Sequence, residues 1–350
     1  MSNENSLIRV GLVGAGANTR RKHIPGFQAC PGVEVVTVAN RSLESSRSVA
    51  RDFGIPRTSD SWQEVVGDPE VDAVCIGTWP YLHREVTCAA LEAGKHVLCE
   101  ARMAMDLSDA QAMLQASREH PELVAQVVPT PLGLPYHRAV REFIDSGGLG
   151  RMLAVEVRDV FSDLLQPDAP LRWRQRLELA GYNCVTLGQW WETLLLWVGP
   201  VSWLDAAGRI VVASKDDPET GETVQVQLPD HITVLAEFEN GAVGTILSSA
   251  VTGNVPESML LVHGDRGTLK YDALTDTLWW SEGHSGSYSM MPVDPDLVGG
   301  WRAEEEFINA VRGRERVRYI DFATGVRYME LSQAAHVSWA EGRRVSLPLP

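Results

Sequence analysis

Short, almost uniformly apolar runs recur through the first 129 residues, separated by stretches of helical character. The runs are IRVGLV at 8–13, VEVVTVAN at 33–40, VDAVCIG at 71–77, KHVLCE at 95–100 and LVAQVVP at 123–129. A strand wetted on one face alternates apolar and polar residues, whereas a strand covered on both faces does not. The intervening segments 14–27, 42–54, 83–94 and 108–120 read as helices; Ser42 suits an N-cap, and Gly54 stands where a left-handed residue closes a helix. This alternation predicts an α/β fold whose N-terminal part is a Rossmann-type, doubly wound parallel sheet with helices on both faces.

The rhythm changes after about residue 130. A helix near 136–146 leads into RMLAVEVRDVF, whose alternation marks a strand with one wet face. Further strands are expected at 224–228, 231–251, 259–272 and 276–280, joined by turns such as Glu239-Asn240-Gly241. Segment 180–199 is apolar at helical spacing and is expected to lie across one face of this sheet, with Tyr182 and Asn183 near the entrance of its helix, and two more helices, near 302–312 and 321–336, precede an extended tail. The predicted C-terminal part is therefore an α+β domain with a large, mostly antiparallel open sheet. The domain division is expected at 1–129 and 130–350.

Of the 350 residues, 31 are basic and 46 acidic, a net charge of −15 that repels nucleic-acid phosphates and anionic lipid. Neither nucleic acid nor membrane is an expected partner. The polar start MSNENSLIRV carries no secretory pattern and no apolar run approaches a bilayer span, so a cytoplasmic location is expected. The five cysteines, Cys30, Cys75, Cys88, Cys99 and Cys184, form no C-x-x-C pair, and the nine histidines show no ligand spacing. Free thiols and no metal site are expected.

Gly11, Gly14 and Gly16 make a G-x-x-G-x-G pattern between the first strand and the first helix. Bare backbone there permits a tight turn and lets a pyrophosphate approach the helix N-terminus, where unpaired N–H groups and the dipole favour negative charge. Gly14, Gly16, Ala17, Asn18 and Thr19 are thus candidate dinucleotide-binding residues, with Thr19 where a third glycine is usual. An acid at the end of the second strand would take a ribose 2′-hydroxyl, while an arginine suits a 2′-phosphate. The chain has Asn40-Arg41-Ser42 there, which favours NADP over NAD; the alternative is a solvated arginine in an acidic protein.

The loop and helix entry GLVGAGANTRRKHIPGF, with His23-Ile24-Pro25, the stretch IGTWPYLHREVTCAALEAGKHVLCE and the later GDRGTLKYD and EEEFINAVRGRE together resemble the Gfo/Idh/MocA oxidoreductase family. The resemblance implies an NAD(P)-dependent enzyme acting on the CH–OH group of a sugar or polyol-like substrate, assembled as a homodimer or homotetramer. It places Thr78, Trp79, Pro80, His83 and Glu100 near the nicotinamide half of the cofactor, and makes 130–350 the substrate and oligomerisation domain. Two family patterns are broken. Glu-Lys-Pro is Glu100-Ala101-Arg102 here, and Asp-x-Gly-x-His is Thr186-Leu187-Gly188-Gln189-Trp190.

Both usual proton-handling residues are therefore missing, although oxidation of a carbinol requires removal of its hydroxyl proton. Tyr182 is the remaining candidate proton carrier, provided a neighbouring cation lowers its pKa, and Arg102 is a candidate for stabilising an oxyanion. Asn183 could hold a substrate hydroxyl, and Trp173, Arg174 and Trp190 could line a sugar site. The alternative for Asn183 is a helix-capping residue beside a packed aromatic, and for Trp190 core or interface packing; Glu192 could be a base if buried but reads as a solvated or ion-paired residue, and His137 reads as an exposed histidine without function. Two other readings stay open: a lyase or glycosidase that uses the nicotinamide without net redox, and a dinucleotide-binding protein without catalysis.

Overall fold

A computed structural model describes residues 7–166, 169–218, 220–283 and 285–350. The chain divides into two compact units, the first comprising Met1–Pro129 with Arg302–Arg327 and the second Thr130–Trp301 with Tyr328–Pro350.

The first unit holds six strands, β1 (Ile8–Val13), β2 (Val33–Ala39), β3 (Arg57–Thr58), β4 (Ala73–Ile76), β5 (His96–Cys99) and β6 (Ala125–Val127), all parallel in the order β3-β2-β1-β4-β5-β6. The apolar runs form the middle of this sheet because both faces are covered: Val10, Leu12, Val74, Ile76, Val97 and Leu98 are fully buried. Each contributes about 1.5–3 kcal/mol of burial. The helices are α1 (Ile24–Ala29), α2 (Leu43–Phe53), α3 (Trp62–Gly67), α4 (His83–Glu92) and α5 (Leu107–Glu119). Ser42 caps α2 by accepting from the Ser45 amide, and Gly54 ends it at φ +68°.

The second unit contains α6 (His137–Asp145), α7 (Leu177–Ala180) and α8 (Leu187–Trp197) with the remaining strands. These are β7 (Met152–Val160), β8 (Val201–Arg209), the short pair β9 (Ser214–Asp216) and β10 (Thr223–Gln225), β11 (His231–Phe238), β12 (Val243–Ser249), β13 (Glu257–Gly264), β14 (Gly267–Asp272), β15 (Thr277–Glu282), β16 (Ser289–Met290) and β17 (Val345–Ser346). Nine of them form one sheet in the order β16-β15-β14-β13-β7-β12-β11-β8-β17, antiparallel except for the β7–β12 pair. Alternate residues of β11 and β12 are buried and exposed, as expected of a sheet with one wet face. The two-part α/β architecture follows the sequence expectation.

Two expectations are corrected. Segment 180–199 is not one helix: Gly181 at φ +61° and Val185 at φ +45° break it between the end of α7 at Ala180 and α8, Leu187–Trp197. Left-handed backbone cannot continue a right-handed helix. The second domain is also not the whole of 130–350. Residues 302–327, which contain α9 (Ala303–Val311) and the start of α10 (Phe322–Glu341), return to the first unit. Phe27 meets Phe307 edge-on at 6.3 Å, and the Val127 amide donates to the Ile320 carbonyl. These contacts join residues some 200–280 positions apart, which no local pattern signals.

Candidate active site

The glycine turn follows β1 directly. Gly14 sits at φ +84°, and a Cβ there would lie 2.7 Å from Thr78 Cγ2 and 2.8 Å from the Thr78 nitrogen. Gly16 and Ala17 are exposed, and nothing nearer than the Gly77 carbonyl, 3.8 Å away, would meet a Cβ on Gly16. Helical backbone begins at Ala17. First-turn amides of a helix have no partner within it, so they face this bare turn as anion donors. The Ala15 amide donates to Asn40 Oδ1 at 2.6 Å, while the Asn40 amide donates to Ser46 Oγ at 2.8 Å. Asn40 thereby pins the turn to the end of β2.

The Thr19 side chain packs inward, so that only its backbone is left to the turn. It is 1% exposed, and a Cβ on Gly77 would fall 2.1 Å from its Oγ1. The close helix–strand approach usually granted by the third glycine is granted here by Gly77 on the strand side. Beside it, Thr78 Oγ1 is buried without a hydrogen-bond partner among the described residues. A cradle that a Cβ would fill and an unmet hydroxyl fit a dinucleotide. Thr78→Val is accordingly expected to leave the melting temperature unchanged or higher while weakening dinucleotide binding about 3- to 10-fold, as read by melting curves and fluorescence titration.

The helical chain after this turn is wound unusually. Thr19–His23 is a π-helical turn, its Thr19 carbonyl accepting from the Ile24 amide five residues on. This winding sets Asn18 and His23 on one face, where Asn18 Nδ2 donates to Glu100 Oε1 and His23 Nε2 approaches the same oxygen at 2.9 Å. His23 Nδ1 lies 2.5 Å from Glu304 Oε1, and Gly26 leaves the space, since a Cβ there would lie 2.7 Å from Glu304 Oε2. Burial works against charge on His23, yet its bonds to Glu100 and Glu304 prevail and raise it to about 9. Burial likewise opposes ionisation of Glu100, but His23 and Asn18 lower it to about 2. The cluster is a buried imidazolium held between two carboxylates.

Sequence reasoning found Glu100 but missed His23 and Glu304 as a pair. His23 stood in the His-Ile-Pro match, and Glu304 is 281 positions away.

His83 is also corrected. It is fully buried, with Nδ1 at 3.1 Å from the Arg102 and Met103 carbonyls and Nε2 at 3.1 Å from the Thr78 carbonyl. Burial lowers its pKa. It staples the loop after β4 to the loop after β5 and cannot face a cofactor. Trp79 is 36% exposed and Pro80 is buried, while Arg102 is half-buried after a cis Ala101–Arg102 peptide. Arg41 and Ser42 are exposed.

In the second unit the substrate candidates separate. Trp190 is fully buried, so it is a core residue rather than a sugar platform; a side chain that water cannot touch cannot stack on a ligand. Asn183 is 8% exposed and its Nδ2 donates to the Ala180 carbonyl at 2.6 Å, satisfying the end of α7. The Arg174 guanidinium lies 4.1 Å over the ring of half-buried Trp173. Tyr182 packs on His336 with ring centroids 4.3 Å apart, and burial holds His336 below its ordinary value, so this neighbour is neutral.

Residues 8–127 match the family model described as "Oxidoreductase family, NAD-binding Rossmann fold", and 137–270 match the "GFO/IDH/MocA C-terminal domain". The chain belongs to the Gfo/Idh/MocA oxidoreductase family. A 1,5-anhydro-D-fructose reductase of Ensifer adhaerens is 33% identical over 308 residues, 82% of this chain and 83% of the relative. A levoglucosan dehydrogenase of Pseudarthrobacter phenanthrenivorans is 25% identical over 291 residues, 76% of this chain and 73% of the relative. Among solved structures, levoglucosan dehydrogenase in complex with NADH superposes with a TM-score of 0.83 at 21% identity, covering 99% of this chain and 100% of that one. This Gfo/Idh/MocA member is thus an oxidoreductase with the family's nicotinamide-dinucleotide-binding fold.

Proposed function

We propose that the protein interconverts the carbinol and carbonyl forms of a sugar-like or polyol substrate, using NADP in preference to NAD. The observation that carries this reading is the bare Gly14–Gly16 turn, opening a helix beside the unmet Thr78 hydroxyl. Bound nicotinamide supplies the acceptor or donor of a hydride. The first-turn amides hold its pyrophosphate, Asn40 sets the turn, and the His23–Glu100 pair fixes Asn18 at the helix entry. Arg102, a fixed cation, stabilises an oxyanion but accepts no proton. Trp173 with Arg174 offers an indole face and charged donors to a polyhydroxylated ring.

Preference for the phosphorylated cofactor rests on Arg41 and on the lack of an acid after β2. Arg41→Ala is expected to weaken NADP binding roughly 10- to 100-fold and to leave NAD binding within about twofold, because only the former loses a charge-assisted bond. Equal losses for both cofactors in fluorescence titrations would remove the preference. Absorbance at the reduced-nicotinamide band across a panel of sugars, anhydrosugars and polyols tests the activity itself; silence throughout, with cofactor bound, would count against it.

Part of the second unit is assigned the substrate and assembly roles. The wet face of its nine-stranded sheet, with Leu235 39% and Val243 44% exposed, supports a homodimer or homotetramer built on that face. A cytoplasmic, reducing location accords with five unpaired thiols.

A further inference from the structure

We infer that Asn18 Oδ1 is the acceptor for a hydroxyl of the ribose that carries the nicotinamide, and that Glu304, acting through His23 and Glu100, is the residue that turns it that way. The inference rests on the dinucleotide reading above and names the group that one side chain of that site reads. All the residues concerned belong to the first unit. An asparagine at a helix entry ordinarily spends its side-chain oxygen on a first-turn amide. Asn18 makes no such cap. Its Nδ2 donates to Glu100 Oε1 instead, and its Oδ1 takes no hydrogen bond among the described residues, although the side chain is half-buried.

A half-turn of the amide exchanges the oxygen and nitrogen of an asparagine, so its partner decides which of them faces outward. Glu100 decides it here. A carboxylate only accepts, and Glu100 has no proton to give: burial works against its charge, yet His23 and Asn18 bring it to about 2. Its Oε2 accepts from the Ala101 amide at 2.9 Å, which keeps the group from swinging away. His23 is fixed in turn. Nε2 donates to Glu100 Oε1 at 2.9 Å and Nδ1 to Glu304 Oε1 at 2.5 Å, and Glu304 is 3% exposed against the bare Cα of Gly26. Each side chain from Glu304 to Asn18 thus settles the orientation of the next.

Strand order identifies the group that meets this oxygen. The chain winds outward from β1 to β3 and then returns to β4 on the other side of β1. A doubly wound sheet takes a dinucleotide in the crevice outside the carboxyl ends at such a reversal, with the pyrophosphate on the helix after β1 and the adenosine ribose at the end of β2. The nicotinamide half then falls to the side of β4 and β5. Glu100 follows β5 directly, so its bond draws the Asn18 amide toward that half. An acceptor oxygen there repels phosphate and requires a donor. The ribose is bonded to the pyrophosphate and is the first group to offer one, whereas the carboxamide amino group lies a further ring away. Asn18 touches the ligand; Glu304 is a positioning residue.

The test is calorimetric titration of the full chain at neutral pH with a ladder of ligands: NADP, then 2′-phospho-ADP-ribose, which keeps the second ribose but lacks the nicotinamide, then adenosine 2′,5′-bisphosphate, which lacks both. Asn18→Leu is expected to weaken the first two about 3- to 10-fold, the worth of one neutral hydrogen bond, and the last by less than about twofold. Glu304→Leu should give the same pattern, and adding it to Asn18→Leu should weaken binding no further, because it acts through Asn18. Glu304→Gln keeps an acceptor for the His23 Nδ1–H and should bind all the ligands as wild type does. If Glu304→Leu does not fold, Glu304→Asp, which draws the acceptor back by one methylene, carries the same expectation. A loss confined to NADP would assign Asn18 to the carboxamide, and an equal loss down the ladder would assign it to the turn; either result, or no loss, overturns the inference. Losses from Asn18→Leu and Glu304→Leu that add in full overturn the role of Glu304. A wild-type protein that binds none of the ligands would overturn the dinucleotide reading itself, whereas the expected pattern without turnover of any carbinol would overturn the proposed reaction and leave Asn18 assigned.

Discussion

His23→Ala is expected to destabilise the protein by about 3–5 kcal/mol, the cost of leaving buried charges without their partner. Two carboxylates depend on this one ring: Glu304 at 2.5 Å and Glu100 at 2.9 Å, with side chains 4% and 14% exposed. Denaturant unfolding measures the loss, and a change under about 1 kcal/mol would show that the cluster is not a charged one. Dinucleotide affinity should fall with it, since Glu100 without His23 no longer fixes Asn18.

The same cluster sets a pH window. His23 is raised from 6.5 to about 9, so its contribution of about 3 kcal/mol is complete below pH 6.5 and is lost as pH rises through 9. Glu100 is lowered from 4.5 to about 2, so the opposite edge appears as pH falls from 4.5 through 2. Both edges describe one interaction and do not add. Melting temperature against pH should show a plateau between these limits, and in His23→Ala the alkaline edge should vanish. A wild-type curve without a decline between pH 6.5 and 9 would contradict the assignment of charge.

Gly77→Ala is expected to abolish dinucleotide binding at micromolar protein and to cost about 1–3 kcal/mol in stability. The added Cβ would lie 2.1 Å from Thr19 Oγ1 and 2.5 Å from the Gly14 carbonyl oxygen. The first conflict involves a side chain, the second the glycine turn itself. Adding Thr19→Ala should therefore recover part of the stability and little of the binding. Calorimetric titration with NADP and NAD tests this, and full recovery of affinity in the double variant would mean that the turn tolerates displacement.

Period and punctuation made most of the architecture legible. The runs at 8–13, 33–40, 71–77, 95–100 and 123–129 became β1, β2, β4, β5 and β6 because a strand covered on both faces has to be apolar throughout. Ser42 and Gly54 bounded α2 for equally local reasons, a side-chain acceptor at one end and left-handed backbone at the other. Segment 180–199 misled because buried irregular backbone is as apolar as helix, and its breaks lie in the signs of two φ angles.

The sequence by itself determined the parallel first sheet, the glycine turn after β1 and the loss of the family's lysine and histidine, since each is written in adjacent residues. Which distant side chains meet was settled only by the tertiary structure. His23 meets Glu304 across 281 positions, and the Thr19 side chain packs where Gly77 leaves room for it. Such contacts depend on which strand lies beside which and on how a helix is wound, and the energy of a buried charge exists only once the surrounding chain has excluded water.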